Sequence, residues 1–256
     1  MQYTEYYSEP KPNVYRLPIY VSVTSIYKNQ ERLCKTLLSL KNQTLRPNKI
    51  YVYLSREPYL LDDGFKNGIT DELLFNELRN PIYQVVWTKN EGSYRKLLPI
   101  LRQKWAENCV IITVDDDVMY TEGLVEELYF DFLDKGCSIG YRGFISDKPV
   151  TQYKNSLSRK KISEGLYNFA TGKGAILYHP SFFHKTSKEI FDSNIYLSDN
   201  FKTKDDIWFY IMRIKNNINL YLGMFDWLSK DNTNYNLSLA NNYNSIDANN
   251  KALILR

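Results

Sequence analysis

Between residues 18 and 114 the chain repeats one pattern, a short apolar run of strand length followed by apolar positions at helical spacing. Pro18 to Val23 predicts a first strand, followed by a polar loop at Thr24-Ser25-Ile26-Tyr27. Leu33, Leu37 and Leu40, with Cys34 beside them, fall on one face of a helix over Gln30 to Leu40. Pro47 cannot continue a helix and closes that segment. Lys49 to Ser55 alternates and β-branches as a second strand, Asp71 to Leu78 predicts a short helix, and Ile82 to Trp87 a third strand. Leu97, Leu98 and Leu101 predict a helix over Tyr94 to Trp105, with Pro99 in its first turns, where proline is tolerated. Cys109 to Val114 is the most hydrophobic strand candidate of the chain.

Strands that alternate with helices predict an α/β domain whose mostly parallel, Rossmann-like sheet is flanked by helices. Such sheets bind ligands outside the carboxyl ends of their strands. The Thr24 loop and the residues after Val114 both fall on that edge. Beyond Tyr120 the pattern loosens. Thr121 predicts the N-cap of a helix running to about Lys135, and Ser138 to Tyr153 is strand-like with turns. A glycine loop, Thr171-Gly172-Lys173-Gly174-Ala175, precedes a strand at Ile176 to Tyr178, and Lys204 to Asn216 forms an amphipathic helix that opens on Asp205-Asp206. From Ser229 onward Asn, Ser and Asp dominate, which predicts a peripheral or partly disordered tail. The expected division is an N-terminal extension (1–17), one α/β domain (18–228) and an Asn-rich C-terminal tail (229–256).

At 256 residues with 43% hydrophobic content the chain can bury a full core. No run approaches the roughly 18 apolar residues of a membrane span, and Met1 to Pro12 is polar, acidic and aromatic, unlike a secretory signal. Cys34, Cys109 and Cys137 lack metal-ligand spacing and sit in apolar contexts, as reduced core thiols of a cytoplasmic protein do. A net charge of +4 is spread along the chain, which predicts no nucleic-acid footprint. It suits an anionic substrate or peripheral contact with an acidic inner membrane face. The 22 tyrosines follow a general bias toward Asn, Lys, Ile and Tyr more simply than a sugar-stacking role.

Candidate chemistry centres on Asp115-Asp116-Asp117, which follow Val114 directly. Three adjacent carboxylates where a strand leaves the core repel one another unless a cation sits among them. A divalent ion with oxygen ligands, which would in turn hold a phosphate, is the natural occupant. A solvated acidic turn is the plainer alternative, and the position at the end of the most apolar strand weighs against it. Asp205-Asp206 offers either a general base or a pair of helix-capping acids. The loop at Lys173 is not a P-loop, because Gly-four-Gly-Lys-Ser/Thr spacing is missing.

In order and spacing these segments resemble the glycosyltransferase A (GT-A) fold, nearest to family 2-type nucleotide-sugar transferases. The resemblance rests on Val21-Ser22-Val23-Thr24 with Arg32, on Ser39-Leu40 through Gln43-Thr44 and Pro47 to Ile50, on the aspartate triplet as the Asp-any-Asp motif, and on Gly172 and Gly174 followed by Asp205-Asp206-Ile207-Trp208. Lys96-Leu97-Leu98-Pro99 is similar to a stretch in polysaccharide-type members. Two features depart from the family: Lys173 separates the glycines, and no histidine follows His184 to complete a metal site.

The resemblance implies transfer of a sugar from a nucleotide-diphosphate donor to a saccharide or lipid-linked acceptor, with inversion, in polysaccharide or glycoconjugate synthesis. It implies Mn²⁺ or Mg²⁺ held by Asp117 with Asp115, and Asp206 as base helped by Asp205. Donor contacts would come from Thr24, Tyr27, Lys96, Asp115, Asp116, Gly172, Lys173 and Gly174, with Arg95 beside Lys96. Arg32 reaches the base or faces solvent, and Trp208 floors the acceptor site or packs in the core. The alternatives are a nucleotide-sugar-binding module without turnover and, further off, an aspartate-based phosphotransferase, which would need an aspartate where Thr24 stands.

Overall fold

The computed structural model describes residues 16–153, 162–233, 235–237 and 242–254, so residues 1–15 of the expected N-terminal extension lie outside it. Four strands, β1 (Ile19–Thr24), β2 (Lys49–Leu54), β3 (Tyr83–Trp87) and β4 (Val110–Val114), pair in parallel in the order β3-β2-β1-β4. Helices α1 (Gln30–Lys41), α2 (Glu72–Glu77) and α3 (Leu98–Gln103) connect them. Val21, Val23, Ile112 and Val114 are fully or almost fully buried, as strands covered on both faces must be.

A short strand, β5 (Val118–Tyr120), follows the aspartates and leads to α4 (Leu124–Lys135), and β6 (Ser138–Gly140) and β7 (Gly143–Phe144) come next. Then follow β8 (Ser163–Gly165), β9 (Phe169–Ala170), β10 (Ile176–Tyr178), α5 (Ser193–Tyr196), α6 (Asp205–Lys215), β11 (Leu220–Leu222), β12 (Leu228–Asp231) and α7 (Ile246–Ile254). The main sheet has eight strands in the order β3-β2-β1-β4-β10-β6-β11-β8. β10 runs antiparallel to both neighbours, so the sheet is parallel in its first half and mixed in its second.

Three local expectations change. The single helix expected over Tyr94 to Trp105 is split into a 3-10 turn, Gly92–Lys96, and α3. Pro99 has no N–H to bond back to Arg95, so the α-ladder begins only after Leu97. α4 starts at Gly123 without a side-chain cap, because the Thr121 hydroxyl donates instead to the Asp226 carbonyl at 2.7 Å.

The third change concerns the expected C-terminal tail. β12 pairs antiparallel with β5, and α7 packs on α6 with Ala252 and Leu253 fully buried. The segment is polar in composition, yet Ala252 and Leu253 turn inward and find a hydrophobic partner, while Ile254 stays exposed. Truncating Leu253 to Ala is expected to lower unfolding free energy by about 2–4 kcal/mol, measured by urea denaturation; a loss below about 0.5 kcal/mol would mean a peripheral tail after all.

Candidate active site

A cavity of about 630 Å³ opens at the carboxyl edge of β1 and β4, a size suited to a small-molecule ligand. Val114 ends β4 at its wall, and Asp115, Asp116 and Asp117 leave the sheet there in three directions. Asp115 Oδ1 accepts from Lys96 Nζ at 2.7 Å. Asp116 Oδ2 accepts from the Ser25 hydroxyl and from Asn29 Nδ2 (3.2 Å), while its carbonyl accepts from Thr36 Oγ1 of α1 at 2.9 Å. Asp117 sits near Lys173 and Thr233.

The opposite wall brings Asp205 and Asp206 from the start of α6 to the same cavity. Lys96 Nζ lies 3.0 Å from Asp205 Oδ2, so one ammonium bridges the two acidic segments. The Gly172 N–H donates to both oxygens of Asp206 at 3.1 Å. A Cβ on Gly172 would lie 2.7 Å from Lys96 Nζ and 3.2 Å from oxygens of Asp115 and Asp206, so the glycine loop is what lets these charges come together. Gly174 allows an equally close approach to Arg142, whose Cβ would lie 2.3 Å from an added one. Lys173 lines the cavity and bonds Asp231 Oδ2 at 2.8 Å and Thr233 Oγ1 at 3.1 Å, tying the loop to the C-terminal segment.

Electrostatics follow from this burial. Burial opposes the charge on Lys96, yet Asp115, Asp205 and Asp206 hold its ammonium well above the ordinary lysine range. Burial, with Asp205 beside it, pushes Asp206 up to about 7, against the pull of Lys96. Burial and the neighbouring Asp116 and Asp115 push Asp117 up to about 7 as well. Asp116 rises less, to about 6, because Ser25 and Asn29 hydrogen-bond its charged form. Unrelieved negative charge therefore collects at Asp117 and Asp206. Among the described residues no three His, Cys, Asp or Glu side chains gather as a ready-made metal centre.

Thr24 lines the cavity as expected, its hydroxyl donating to the Tyr53 carbonyl at 2.8 Å. Tyr27, Arg32 and Trp208 do not line it. The Tyr27 hydroxyl pairs with Thr70 Oγ1 at 3.0 Å and its ring lies edge-on to Phe65. Arg32 is spent on the Asn232 carbonyl at 2.9 Å, which anchors the segment after β12. Trp208 lies one helical turn beyond Asp205, is buried against Tyr196 and Phe201, and donates its indole N–H to the Ile190 carbonyl. It is a core residue, not an acceptor floor.

Arg95, expected beside Lys96 among the donor contacts, lines the cavity but is buried and bonds Asp62 Oδ2 and the Ser25 carbonyl at 3.2 Å. Asp62 and Tyr120 are contributors the sequence did not single out. Asp62 also accepts from the backbone N–H groups of Tyr27 and Gly64 at 3.0 Å, so the Arg95–Asp62 pair fixes the loop after β1. The signal was Asp62-Asp63-Gly64, a turn sequence whose glycine takes φ of +75°. Tyr120 accepts from the Asp115 N–H at 3.0 Å and donates to the Lys173 carbonyl at 3.3 Å, joining the aspartate turn to the glycine loop.

No protein-family model matches the chain, and no curated protein does. Solved structures do. The crystal structure of S. aureus TarS 1–349 superposes with a TM-score of 0.52 at 14% identity, covering 82% of this chain and 59% of that one. The complex of TarS 1–349 with UDP gives 0.53 at 16% identity, and the complex with UDP-GlcNAc gives 0.53 at 13%. The fold is GT-A. The chain thus spans less than three fifths of the TarS 1–349 chains it matches. Within the GT-A frame the cavity lies where the parallel half of the sheet ends, and among the described residues no helix is long and apolar enough to cross a membrane.

The raised Asp117 makes a test of the site's charge. A carboxyl whose folded value exceeds its unfolded one stabilises the fold at low pH and loses that contribution as pH rises through the folded value. Asp117→Asn is therefore expected to stabilise the protein at pH 8 by on the order of 2 kcal/mol, by less at pH 5, and to change nothing only near pH 3, below the unfolded carboxyl value of about 3.9. Thermal melts of both proteins across that range measure it; equal melting temperatures at pH 8 would mean that Asp117 is not under electrostatic pressure.

Proposed function

We propose that the protein is a glycosyltransferase that uses a nucleotide-diphosphate sugar. The observation that carries this reading is the convergence of Asp115–Asp117 and Asp205–Asp206 on one cavity, with Lys96 between them. The UDP and UDP-GlcNAc complexes among the similar TarS structures support a nucleotide sugar as the ligand class.

Thr24, Ser25 and the Arg95–Asp62 pair build the wall nearest β1, which suits the nucleoside. Lys173 and Asp117 flank the segment where a diphosphate would lie. The donor set fits Mn²⁺ or Mg²⁺, since Asp117 offers a carboxylate under negative pressure and such ions keep several water and phosphate oxygens. Asp115, committed to Lys96, is the less available oxygen. A divalent ion bound there would offset the charge of the departing nucleoside diphosphate.

Asp206 is the base. Its carboxylate is fixed by the Gly172 N–H and titrates near neutrality, where a base takes a proton with best effect. It removes the proton of an acceptor hydroxyl as that oxygen attacks the anomeric carbon, and the nucleoside diphosphate leaves from the opposite side. Direct displacement of this kind inverts the anomeric configuration. Asp205, neutralised by Lys96 and bonded by Ser93 Oγ at 2.6 Å, positions the pair.

Release of nucleoside diphosphate from UDP-GlcNAc, UDP-glucose, UDP-galactose and GDP-mannose, with Mn²⁺ or Mg²⁺, tests the reading. Asp206→Asn is expected to lower turnover about 10²–10⁴-fold while retaining nucleotide binding. In the wild type, activity is expected to rise with pH through about 7 and then level off, because only the deprotonated carboxylate accepts a proton. Binding of nucleotides without release from any donor would favour the non-catalytic module instead.

A further inference from the structure

Asp206 borders two spaces. On one side lies the large cavity, and behind it lies a small internal space of about 10 Å³. Asp206, Tyr210 and Arg213 recur along α6 at the spacing of one helical face, and that face covers the small space. Tyr178 of β10 and Ser138 of β6 line it from the sheet, and Ala170 helps to close it. Tyr178 and Arg213 are each 3% exposed and Ser138 is fully buried. Burial raises the Tyr178 phenol and the charge of Asp206 raises it further, while Lys96 and Arg213 pull it down. The phenol is thus the electrostatic neighbour of both the carboxylate and the buried guanidinium. Arg213 bonds the Ile218 carbonyl and the Asn168 carbonyl, the second at 2.6 Å, and forms no ion pair among the described contacts. On its other sides Asp206 has Lys96, Asp205, Asp115, Tyr94 and Tyr153 as charged and titratable neighbours, and it accepts from the Gly172 N–H.

We infer that the small space is a site for one buried water, and that Tyr178 is a positioning residue acting through that water on the Asp206 carboxylate. This role rests on the transferase reading above, in which Asp206 is the base. A space of roughly 10–15 Å³, measured with a water-sized probe, holds one water when two to four polar groups surround it. The space behind Asp206 has that volume, and its walls offer a carboxylate, a phenol and the Ser138 hydroxyl, with the Arg213 guanidinium beside them. Ser138 Oγ already donates to the Leu177 carbonyl at 2.8 Å, so toward the space it accepts. A phenol donates one hydrogen bond and an ionised carboxylate only accepts. Tyr178 therefore donates to the water, and the water donates to Asp206 and to Ser138 Oγ. A hydrogen bond to a carboxylate favours its charged form. This one also holds the carboxylate from behind, leaving its other side to the attacking hydroxyl.

The test uses the whole chain as wild type, as Tyr178→Phe, which removes only the hydroxyl, and as Ala170→Val, which keeps the phenol and adds two methyl groups at the same space. Crystal structures are expected to show one water within hydrogen-bond distance of Asp206 and Tyr178 in the wild type and none in either variant. A wild-type space without that water overturns the site, whatever the protein catalyses. Turnover is read with the donor whose nucleoside diphosphate is released fastest among the four above. Both variants are expected to lower kcat about three- to tenfold and to change the donor KM less than about twofold, because the lesion lies behind the carboxylate. The pH midpoint of kcat is expected to rise by about half to one unit in both. Circular dichroism melts report folding, and either variant that folds is sufficient. A wild-type kcat and pH midpoint in a folded variant, or a raised KM at unchanged kcat, overturns the positioning role and leaves the transferase standing. Absence of release from every donor by the wild type overturns the transferase and the role of Tyr178 with it, while the crystal structures still decide the water site.

Discussion

One ammonium group determines how the active cavity holds together. Lys96 stands between Asp115 and Asp205, at 2.7 and 3.0 Å, and neither the sheet edge nor the start of α6 could bring its carboxylates so close without it. The three parts reach that point by separate routes. β4 delivers Asp115, α6 delivers Asp205, and the 3-10 turn before Pro99 delivers Lys96. Burial alone would drive protons onto the acids or off the lysine. Pairing keeps Lys96 charged, and the negative charge left over falls on Asp117 and Asp206. The residues proposed for ion binding and for proton transfer are therefore ones with which the lysine forms no direct ion pair among the described contacts.

The meeting of the two acidic segments at one cavity was legible in the sequence only where chemistry and period coincided. Aspartates after the most apolar strand, and a second acidic pair at a helix start, are strong signals because repulsion makes their positions expensive. The four parallel strands were readable for the same kind of reason: buried on both faces, they consist of unbroken apolar runs such as Val110–Val114. Trp208, Tyr27 and Arg32 could not be placed from sequence. A large amphipathic side chain near a motif packs, bonds or binds according to which way its element faces, and that is settled by partners far away, such as Ile190, Thr70 and Asn232.

The C-terminal segment was hidden by its composition. Runs of Asn, Ser and Asp usually lack the apolar area needed to offset chain entropy. Here the offset comes from a few contacts with large effect: Ala252 and Leu253 against α6, the β12 pairing, and the Arg32 and Thr203 hydrogen bonds. The same polar residues that misled the sequence reading are then left facing the cavity.

Composition and position together give the segment its meaning. A wall rich in amides, docked by an apolar helix face beside two carboxylates, combines rigidity with neutral hydrogen-bonding capacity. Charged groups at that wall would have disturbed the balance Lys96 maintains, since any added cation would compete for Asp205 and Asp206 and any added acid would raise their proton affinity further. Asparagine and serine avoid both outcomes. The charge balance at Asp205 and Asp206 is thus left to Lys96 and the glycine loop, while the C-terminal residues that line the cavity, Thr233, Leu237, Asn244, Ser245 and Asn249, are neutral.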